Sequence, residues 1–429
     1  ETGIDALWAY SRQLQRGDVE WPDALLLLGD QVYADEVSPA TAEFIESRRD
    51  VREPPGEEIS DFEEYTRLYR EAWSDPDIRW LLSTVPTAMI FDDHDVNDDW
   101  NISAEWVGEM RQQPWWDARI TGAFMSYWLY QHLGNLSPPQ LDEDELLPLV
   151  RADEDAGPRL REAARRWDRE SAHSRWAYYR DFGDSRLLVI DSRAGRVLDE
   201  KRREMIDEEE WNWIVDHAHG EFDHLVIAST LPVFMPKGLH HLEAWNEAIC
   251  AGAWGRHAAR LGERIRRAVD LEHWSAFHDS FERLCDWLRA VADGEDAERP
   301  PSTIVLLGGD VHNAYINQVT LPTQSAGASR VYQIVCSPFR NPLSAMQRRS
   351  VKMITSRPAA SVTRLLARLA RVPRSRADWR LIRQPSFLNS LGELHLHNRA
   401  ARATLYRSAH KGEEPERLYE LDTTELAPD

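Results

Sequence analysis

Six short apolar runs, each rich in Leu, Ile and Val, most constrain how this chain can fold. They span residues 24–30, 87–93, 186–193, 224–230, 303–310 and 331–338. Runs of this length and composition are typical of strands that are covered on both faces. Between them lie segments with helical periodicity, at residues 60–82, 115–133, 208–219 and 272–288. This alternation of strands and helices predicts an α/β fold.

Length and charge narrow the range of function classes. The 429 residues, 42% of them hydrophobic, are compatible with one large domain that carries insertions, and they argue against global disorder. The net charge of −22 argues against nucleic acid or an anionic membrane as the main partner. No apolar run approaches the roughly 18 residues of a membrane span. Three widely spaced cysteines do not form a disulfide framework.

We predict one domain over residues 1–429, with two surface insertions. The segment 137–166 is acidic and has a Pro-Pro pair near its start, and the segment 344–378 is rich in Arg and Ser. From residue 392 onward, apolar and polar residues alternate, as they do in an antiparallel hairpin. We expect this hairpin to close an edge of the sheet.

Three of the apolar runs end in clusters of acidic and histidine residues. The clusters are GDQVY (29–33), DDHDVNDDWN (92–101) and GGDVH (308–312). In open α/β sheets, ligands bind just beyond the carboxyl ends of strands, so separate strand ends can converge on one crevice. Asp, His and Tyr suit divalent or trivalent metals, and so dense a group of carboxylates repels itself unless cations occupy it. The three clusters together predict a multi-metal hydrolytic centre.

Each cluster also has an ordinary structural interpretation. Asp30 can cap a following helix, and Asp310 with His312 can hold a hydrogen-bonded turn. The run at 92–101 can be a solvated turn or a calcium loop. Counted from Asp95, however, it has Trp where an EF-hand needs Gly at position six and Glu at position twelve. All of these interpretations would have to hold together for no site to exist, so we favour the metal centre.

These blocks resemble the signature blocks of PhoD-type alkaline phosphatases, a branch of the calcineurin-like metallophosphoesterases. RLLVIDSR (186–193) and EHWSAFHDSF (272–281) are similar to further family blocks. The resemblance runs from about Gly3 to the C-terminal hairpin. It implies a metallophosphoesterase catalytic domain with a four-layer α/β/β/α sandwich and helical insertions. It also implies a di- or multi-metal centre with Fe(III) and Ca(II), for which Mn or Zn are alternatives.

Carried over residue by residue, the resemblance implies five metal ligands: Asp30, Tyr33, Asp93, Asp310 and His312. Asp30 would be shared between metals, and the Tyr33 phenolate would favour a trivalent ion. Candidates for an additional cation are Asp92, Asn97 and Asp98.

Three further residues are predicted to act in catalysis. The resemblance implies that His94 protonates the leaving group or holds the transferred phosphoryl oxygens, and that Asp95 fixes its imidazole tautomer. Arg193, just after a strand end, can bind the substrate phosphate with two parallel hydrogen bonds, and a structural salt bridge is an equal alternative.

The chain departs from the family at one motif. The family has an upstream strand ending in Ser-Cys that supplies a metal ligand, and no cysteine of this chain occupies a comparable place: Cys250, Cys285 and Cys336. We therefore expect the chain to lack that first strand and the N-terminal region before it. A cytoplasmic location is favoured, and secretion is the alternative because an export signal would be lost with that region.

The predicted function is metal-dependent hydrolysis of phosphate monoesters, diesters or both, by an alkaline phosphatase or phosphodiesterase. A metal-bound hydroxide attacks phosphorus, and His94 assists departure of the leaving group. One alternative is a phospholipase-D-like preference for diesters. The other is a non-catalytic protein that binds metal or phosphate. The expected partner is a phosphate-ester substrate, without a nucleic-acid scaffold or a membrane span, and the oligomeric state stays open.

Overall fold

The computed structural model describes residues 3–170, 176–295, 297–325, 327–340 and 343–428. The strands are β1 Leu25–Leu28, β2 Thr87–Ile90, β3 Tyr178–Phe182, β4 Ser185–Val189, β5 His224–Ala228, β6 Thr303–Gly308, β7 Ala314–Thr320, β8 Arg330–Val335, β9 Asp378–Ser386, β10 Ser390–His397, β11 Ala400–Arg407 and β12 Tyr419–Ala427. The helices are α1 Ala6–Arg16, α2 Pro39–Glu46, α3 Phe62–Ala72, α4 Pro76–Thr84, α5 Ala104–Met110, α6 Trp116–Tyr127, α7 Leu133–Asn135, α8 Pro138–Glu143, α9 Leu146–Ala152, α10 Gly157–Arg169, α11 Glu208–His217, α12 Lys237–Cys250, α13 Arg256–Ala268, α14 His278–Asp293, α15 Ala345–Ile354 and α16 Arg357–Leu369.

The strands form one large sheet and two smaller ones. The large sheet has the order β3-β4-β5-β6-β8-β7-β9, and its four central strands β4, β5, β6 and β8 run parallel. Strands β1 and β2 form a parallel pair, and β10, β11 and β12 form an antiparallel sheet. All six apolar runs therefore contain strands, and the C-terminal hairpin is present as β10 and β11. The expectation that it closes an edge of the large sheet is wrong, because among the described residues β10, β11 and β12 pair only with one another.

The two faces of the large sheet pack against different layers. On one face, Ile227 and Leu306 contact Trp211 of α11 and Phe281 of α14 in a shared core. The other face packs against β1 and β2 and against the C-terminal sheet. Helices α1 and α4 cover the outer side of the β1–β2 pair, for example through Leu81. The order of layers is thus helix, sheet, sheet, helix, which confirms the predicted four-layer α/β/β/α sandwich.

Two predicted helices have different bounds in the structure. The segment 60–82 is divided into α3 and α4 because Pro76 begins a new helix, whose backbone N–H groups at Asp77 and Ile78 donate to the Asp75 side chain. In the segment 272–288, the α-helix begins only at His278, after a loop and one 3₁₀ turn at Trp274–Ala276. Residues 272 and 273 therefore belong to a loop, from which they reach the candidate site.

Both predicted insertions are helical. The acidic segment contains α8, α9 and most of α10, and Leu160 and Ala164 of α10 share a core with Phe124 of α6. That insertion therefore buries one face instead of lying wholly on the surface. The Arg-rich segment contains α15 and α16. No described helix is both long and apolar enough to cross a bilayer.

A cleft separates the two small sheets. Among the described residues, β1 pairs only with β2 and β10 pairs only with β11, so each presents an unpaired edge to the cleft. The cavity between them has a volume of about 1700 Å³, and its floor includes Val226 and Leu307 of the large sheet. Asp30 and Cys336 lie at its lining. The cleft therefore opens next to the strand ends that carry the acidic clusters.

Candidate metal centre

The carboxyl ends of β1 and β2 bring three aspartates together. The two strands are paired in register from Leu25 to Leu28, so the residues that follow them emerge side by side. Carboxylate oxygens of Asp30, Asp92 and Asp93 lie within 4.8 Å of one another. Asp92, which the sequence placed only among the candidates for an additional cation, is therefore part of the central group.

Close backbone approach makes this group possible. Gly29 has φ 93°, and a Cβ atom there would lie 2.3 Å from Asp92 Oδ2. Asp30, Asp310 and His312 adopt left-handed conformations with φ of 49°, 61° and 49°. Such conformations cost non-glycine residues of order 1–3 kcal/mol each and concentrate at functional sites. Three of the predicted ligands thus lie at strained positions directly after strands.

The carboxylates form a donor set that suits a cation. Asp30 Oδ1 and Asp92 Oδ2 are buried and have no hydrogen-bond partner within the described chain. Burial, followed by the charge of Asp92, raises the pKa of Asp30 well above its usual value. Burial likewise raises the pKa of Asp93 to about 7. Unpaired buried oxygens of this kind are costly in isolation, and a hard divalent or trivalent ion would satisfy them.

Arg193 occupies the interior of the cluster. Its side chain is fully buried, with Nε 2.5 Å from Asp92 Oδ1 and Nη1 2.6 Å from Glu272 Oε2. Its Nη2 lies 3.0 Å from Asp93 Oδ1 and 3.4 Å from Asp310 Oδ1. Carboxylates surround the guanidinium and no part of it is exposed, as the structural salt-bridge alternative predicts. Binding of substrate phosphate by Arg193 stays a prediction.

The remaining predicted ligands lie at the same end of the sheets. Arg193 links Asp310 to the aspartate group, and Tyr33 Oη lies 3.3 Å from Asp30 Oδ2. His312 lines the cleft beside Asp30 and Asp310, and its backbone N–H donates to Ser337 Oγ at 2.9 Å. The structure thus brings all five residues to one region, and their roles as ligands stay predictions.

His94 is oriented by a carboxylate that sequence reasoning missed. Its Nδ1 lies 3.0 Å from both carboxylate oxygens of Asp35, and its ring packs on Tyr33 with centroids 4.4 Å apart. Burial alone would lower the pKa of His94, but the hydrogen bond to Asp35 and the charges of Asp30 and Asp93 outweigh it and raise the pKa to about 11. The carboxylate of Asp35 thus orients the imidazole and favours its protonated form.

The prediction that Asp95 fixes the His94 tautomer is wrong. Asp95 Oδ2 accepts the backbone N–H of Asp92 at 3.0 Å, and its Oδ1 faces Gln131 Nε2 at 3.4 Å. Asp95 is buried and both of its oxygens are directed to these groups, whereas the imidazole Nδ1 has Asp35 as its partner. The available sequence signal for Asp35 was its position two residues after Tyr33, in the continuation of the first cluster.

His273 is a second residue that sequence reasoning missed. Its Nδ1 lies 2.6 Å from Glu243 Oε1, and the other oxygen of Glu243 accepts from Ser275 Oγ. His273 Nε2 is buried without a hydrogen-bond partner in the described chain and lies 3.7 Å from Asp310 Oδ2. His273 lies in the sequence block 272–281, which the sequence analysis interpreted as the start of a helix. The structure instead has a loop there, and this loop places His273 near Asp310.

The candidates for an additional cation divide into buried and peripheral groups. Asp98 is exposed at the rim, with Oδ1 3.8 Å from His94 Nε2. Asn97 turns its amide to the backbone carbonyl of Asp98 at 3.3 Å. Only Asp92 of these three therefore belongs to the buried aspartate group.

Comparisons with known proteins identify one family match and several similar solved structures. A family model described as PhoD-like phosphatase matches residues 6–364. The fold is similar to a solved structure titled "Structure of PhoD", with 12% identity and a TM-score of 0.57, covering 100% of this chain and 68% of that one. A purple acid phosphatase, PPD1 from yellow lupin (Lupinus luteus) seeds, aligns with 9% identity and a TM-score of 0.41, covering 99% of this chain and 49% of that one. No curated protein matches the chain.

Proposed function

Because the chain belongs to the PhoD-like phosphatase family, we propose that it hydrolyses phosphate esters at a metal centre formed at the carboxyl ends of β1, β2 and β6. The observation that carries this proposal is the mutual approach of Asp30, Asp92 and Asp93 within 4.8 Å. Two of their buried oxygens lack hydrogen-bond partners in the described chain. This arrangement is unfavourable for a structural core and suitable for cation binding.

The proposed ligands form an oxygen-rich set with imidazole nitrogens at one side. Asp30, Asp92 and Asp93 would provide carboxylates, and Tyr33 would provide a phenolate next to Asp30. When bound, the cations supply charge neutralisation at the phosphate and a water molecule of lowered pKa. The protein supplies their position, because the ligand-bearing turns follow paired strands and are fixed by backbone hydrogen bonds.

The metal identity we favour is Fe(III) together with Ca(II), and the observation that supports iron is the phenol of Tyr33, 3.3 Å from Asp30 Oδ2. A phenolate bound to ferric iron absorbs visible light, whereas centres of zinc or calcium are colourless. We expect iron-loaded protein to be coloured and Tyr33→Phe to bleach it. Elemental analysis separates iron and calcium from manganese and zinc. Colour that survives Tyr33→Phe would show that another residue is responsible.

We assign His273 as a further ligand that shares a cation with Asp310. The carboxylate of Glu243 holds the proton on Nδ1, which leaves Nε2 free to bind a metal, as in carboxylate–histidine–metal arrangements. The distance of 3.7 Å between Nε2 and Asp310 Oδ2 is too long for a hydrogen bond. Two atoms each about 2.1 Å from a common ion would lie roughly 3–4 Å apart, which agrees with this distance.

His94 is the proposed general acid. Asp35 accepts the Nδ1 proton, so that Nε2 remains available to donate a proton to the leaving-group oxygen. Nε2 lies 3.8 Å from Oδ1 of Asp98, whose side chain is exposed at the rim of the site. General acid–base assistance contributes typically about 10²–10⁴-fold to rate. We therefore expect His94→Ala to reduce turnover of an alkyl phosphate by that order while the fold is retained.

The function is tested with 4-nitrophenyl phosphate and bis(4-nitrophenyl) phosphate on metal-loaded protein. The relative rates separate a monoesterase from a diesterase, which the alternative phospholipase-D-like preference requires. Asp92→Asn should abolish turnover, whereas the control Asp117→Asn, at an exposed position on α6, should not. Protein that binds metal but hydrolyses neither ester would be the non-catalytic binder, and protein that binds no metal would refute the proposed centre.

A further inference from the structure

The segment 344–377 concentrates positive charge on an acidic protein. It contains nine Arg and Lys residues and no Asp or Glu, in a chain whose net charge is −22. Eight of the nine are exposed: Arg349, Lys352, Arg357, Arg364, Arg368, Arg371, Arg374 and Arg376. Within the described part of the chain, the single salt bridge of this segment joins Arg376 to Asp286 at 3.0 Å. No carboxylate of the described chain forms an ion pair with the other charges, although Arg364 Nε donates to His241 Nε2 at 3.3 Å and Lys352 lies over the Phe387 ring.

The same helices expose large apolar side chains. On α15, Met346 and Met353 are 77% and 68% exposed and lie seven residues apart, on one face of the helix. On α16, Val362, Leu365 and Leu369 are 59%, 56% and 59% exposed, at a spacing that also places them on one face. Thr363 and Ala367 of α16 are buried instead. The apolar stripe is thus a second face of α16, separate from the one packed on the protein.

The inner faces of these helices are attached to the body of the protein. Helix α16 packs along α12, and a Cβ atom at Gly238 would clash with the backbone of Ile354 at the end of α15. Trp254, which is 45% exposed, donates from Nε1 to the carbonyl of Leu369 at 3.4 Å. The exposed basic and apolar side chains therefore lie on the side of α15 and α16 opposite to their contacts with the protein, and Trp254 lies at the border of this surface.

We propose that the outer surface of α15 and α16 docks on an anionic phospholipid bilayer. Helices that lie in the interface of a membrane combine an apolar face with Lys and Arg at its borders, and their long side chains reach the head groups. Exposed Met, Val and Leu side chains gain burial from acyl chains and gain nothing from a nucleic-acid backbone. The net negative charge of the chain argues against binding to an anionic bilayer. However, attraction to the bilayer depends mainly on the protein charges that lie within about 10 Å of its surface.

The test is cosedimentation of the chain, without metal or substrate, with two kinds of vesicle. One kind is phosphatidylcholine alone and the other contains 30% phosphatidylglycerol, a composition of roughly the charge that attracts basic segments. We expect binding to the anionic vesicles only, and loss of binding in high salt. Each positive charge near such a surface is worth about 1 kcal/mol. Arg364→Gln together with Arg368→Gln should therefore weaken partitioning roughly 30-fold.

A second variant tests the apolar contribution. Leu365→Ser with Leu369→Ser should weaken binding about tenfold or more while the charge is unchanged. Both pairs are exposed, so the fold is expected to persist, and Arg161→Gln with Leu149→Ser provides an exposed control away from the segment. Equal binding to neutral vesicles, no binding to either kind, or binding of a single-stranded oligonucleotide in place of vesicles would overturn the proposal. None of these outcomes depends on phosphatase activity, so failure here is distinct from failure of the proposed function.

Discussion

Substitution of Asp35 tests how the leaving-group acid is held. Both Asp35 oxygens lie 3.0 Å from His94 Nδ1, and Oδ2 also accepts the backbone N–H of Asp98 at 2.6 Å. Hydrogen bonds to charged groups are worth about 1.5–3 kcal/mol, and about 1.36 kcal/mol corresponds to a tenfold change in rate. Asp35→Ala should therefore lower kcat roughly 10- to 150-fold. Asp35→Asn, which retains a neutral acceptor, should lower it by about tenfold or less.

The assay compares an alkyl phosphate with 4-nitrophenyl phosphate. An alkyl leaving group needs a proton, whereas 4-nitrophenolate departs with little assistance, so the Asp35 variants should slow the alkyl ester more. Asp95→Asn is the matched control, because Asp95 contacts the Asp92 backbone and not the imidazole. It should leave the ratio of the two rates unchanged. Asp35 variants that slow both esters equally, or an Asp95 variant that changes the ratio, would refute the assignment.

Three further predictions concern the centre itself. Metal at about 100 times its Kd should stabilise the protein by roughly 2.7 kcal/mol, seen as a higher Tm, and Asp92→Asn should remove that shift. Gly29→Ala should lower metal affinity measured by calorimetry, because the added Cβ displaces Asp92, whereas the helical Gly108→Ala has open space and should not. His273→Gln should weaken binding of Mn²⁺ about 10–100-fold or more and remove an imidazole nitrogen coupling from its pulsed EPR spectrum. The control His224→Gln, at the amino end of β5 where the imidazole contacts Thr303, should change neither. A coupling that survives His273→Gln would exclude His273 as a ligand.

The strands could be predicted because a strand that is buried on both faces consists largely of apolar residues. Each of the six Leu-, Ile- and Val-rich runs contains a strand, and the acidic residues that follow β1 and β2 meet as the parallel register requires. The helix boundaries were harder to predict from the sequence. Periodicity continues through the break between Ala72, where α3 ends, and Pro76, where α4 begins, and through the loop before His278. In both places a local backbone feature, and not the apolar pattern, sets the boundary.

The roles of individual site residues depend on where each side chain points. Closeness of two residues in the sequence does not predict that direction. Asp95 adjoins His94 in the chain but points into the core, while Asp35 arrives from a different strand end. Arg193 follows a strand end, as a substrate-binding residue would, yet four carboxylates enclose it. His273 depends on Glu243 of α12, thirty residues earlier. These contacts arise from packing between distant elements, so only the three-dimensional structure distinguishes them.

The open cleft between β1 and β10 joins an exposed strand edge to the candidate metal centre. An unpaired strand edge is a template on which another extended chain can add. The edge of β1 runs along the cleft and leads to Gly29 and Asp30. An extended peptide that paired with this edge would therefore end beside the aspartate group, so that pairing at the edge and substrate access to the site would compete.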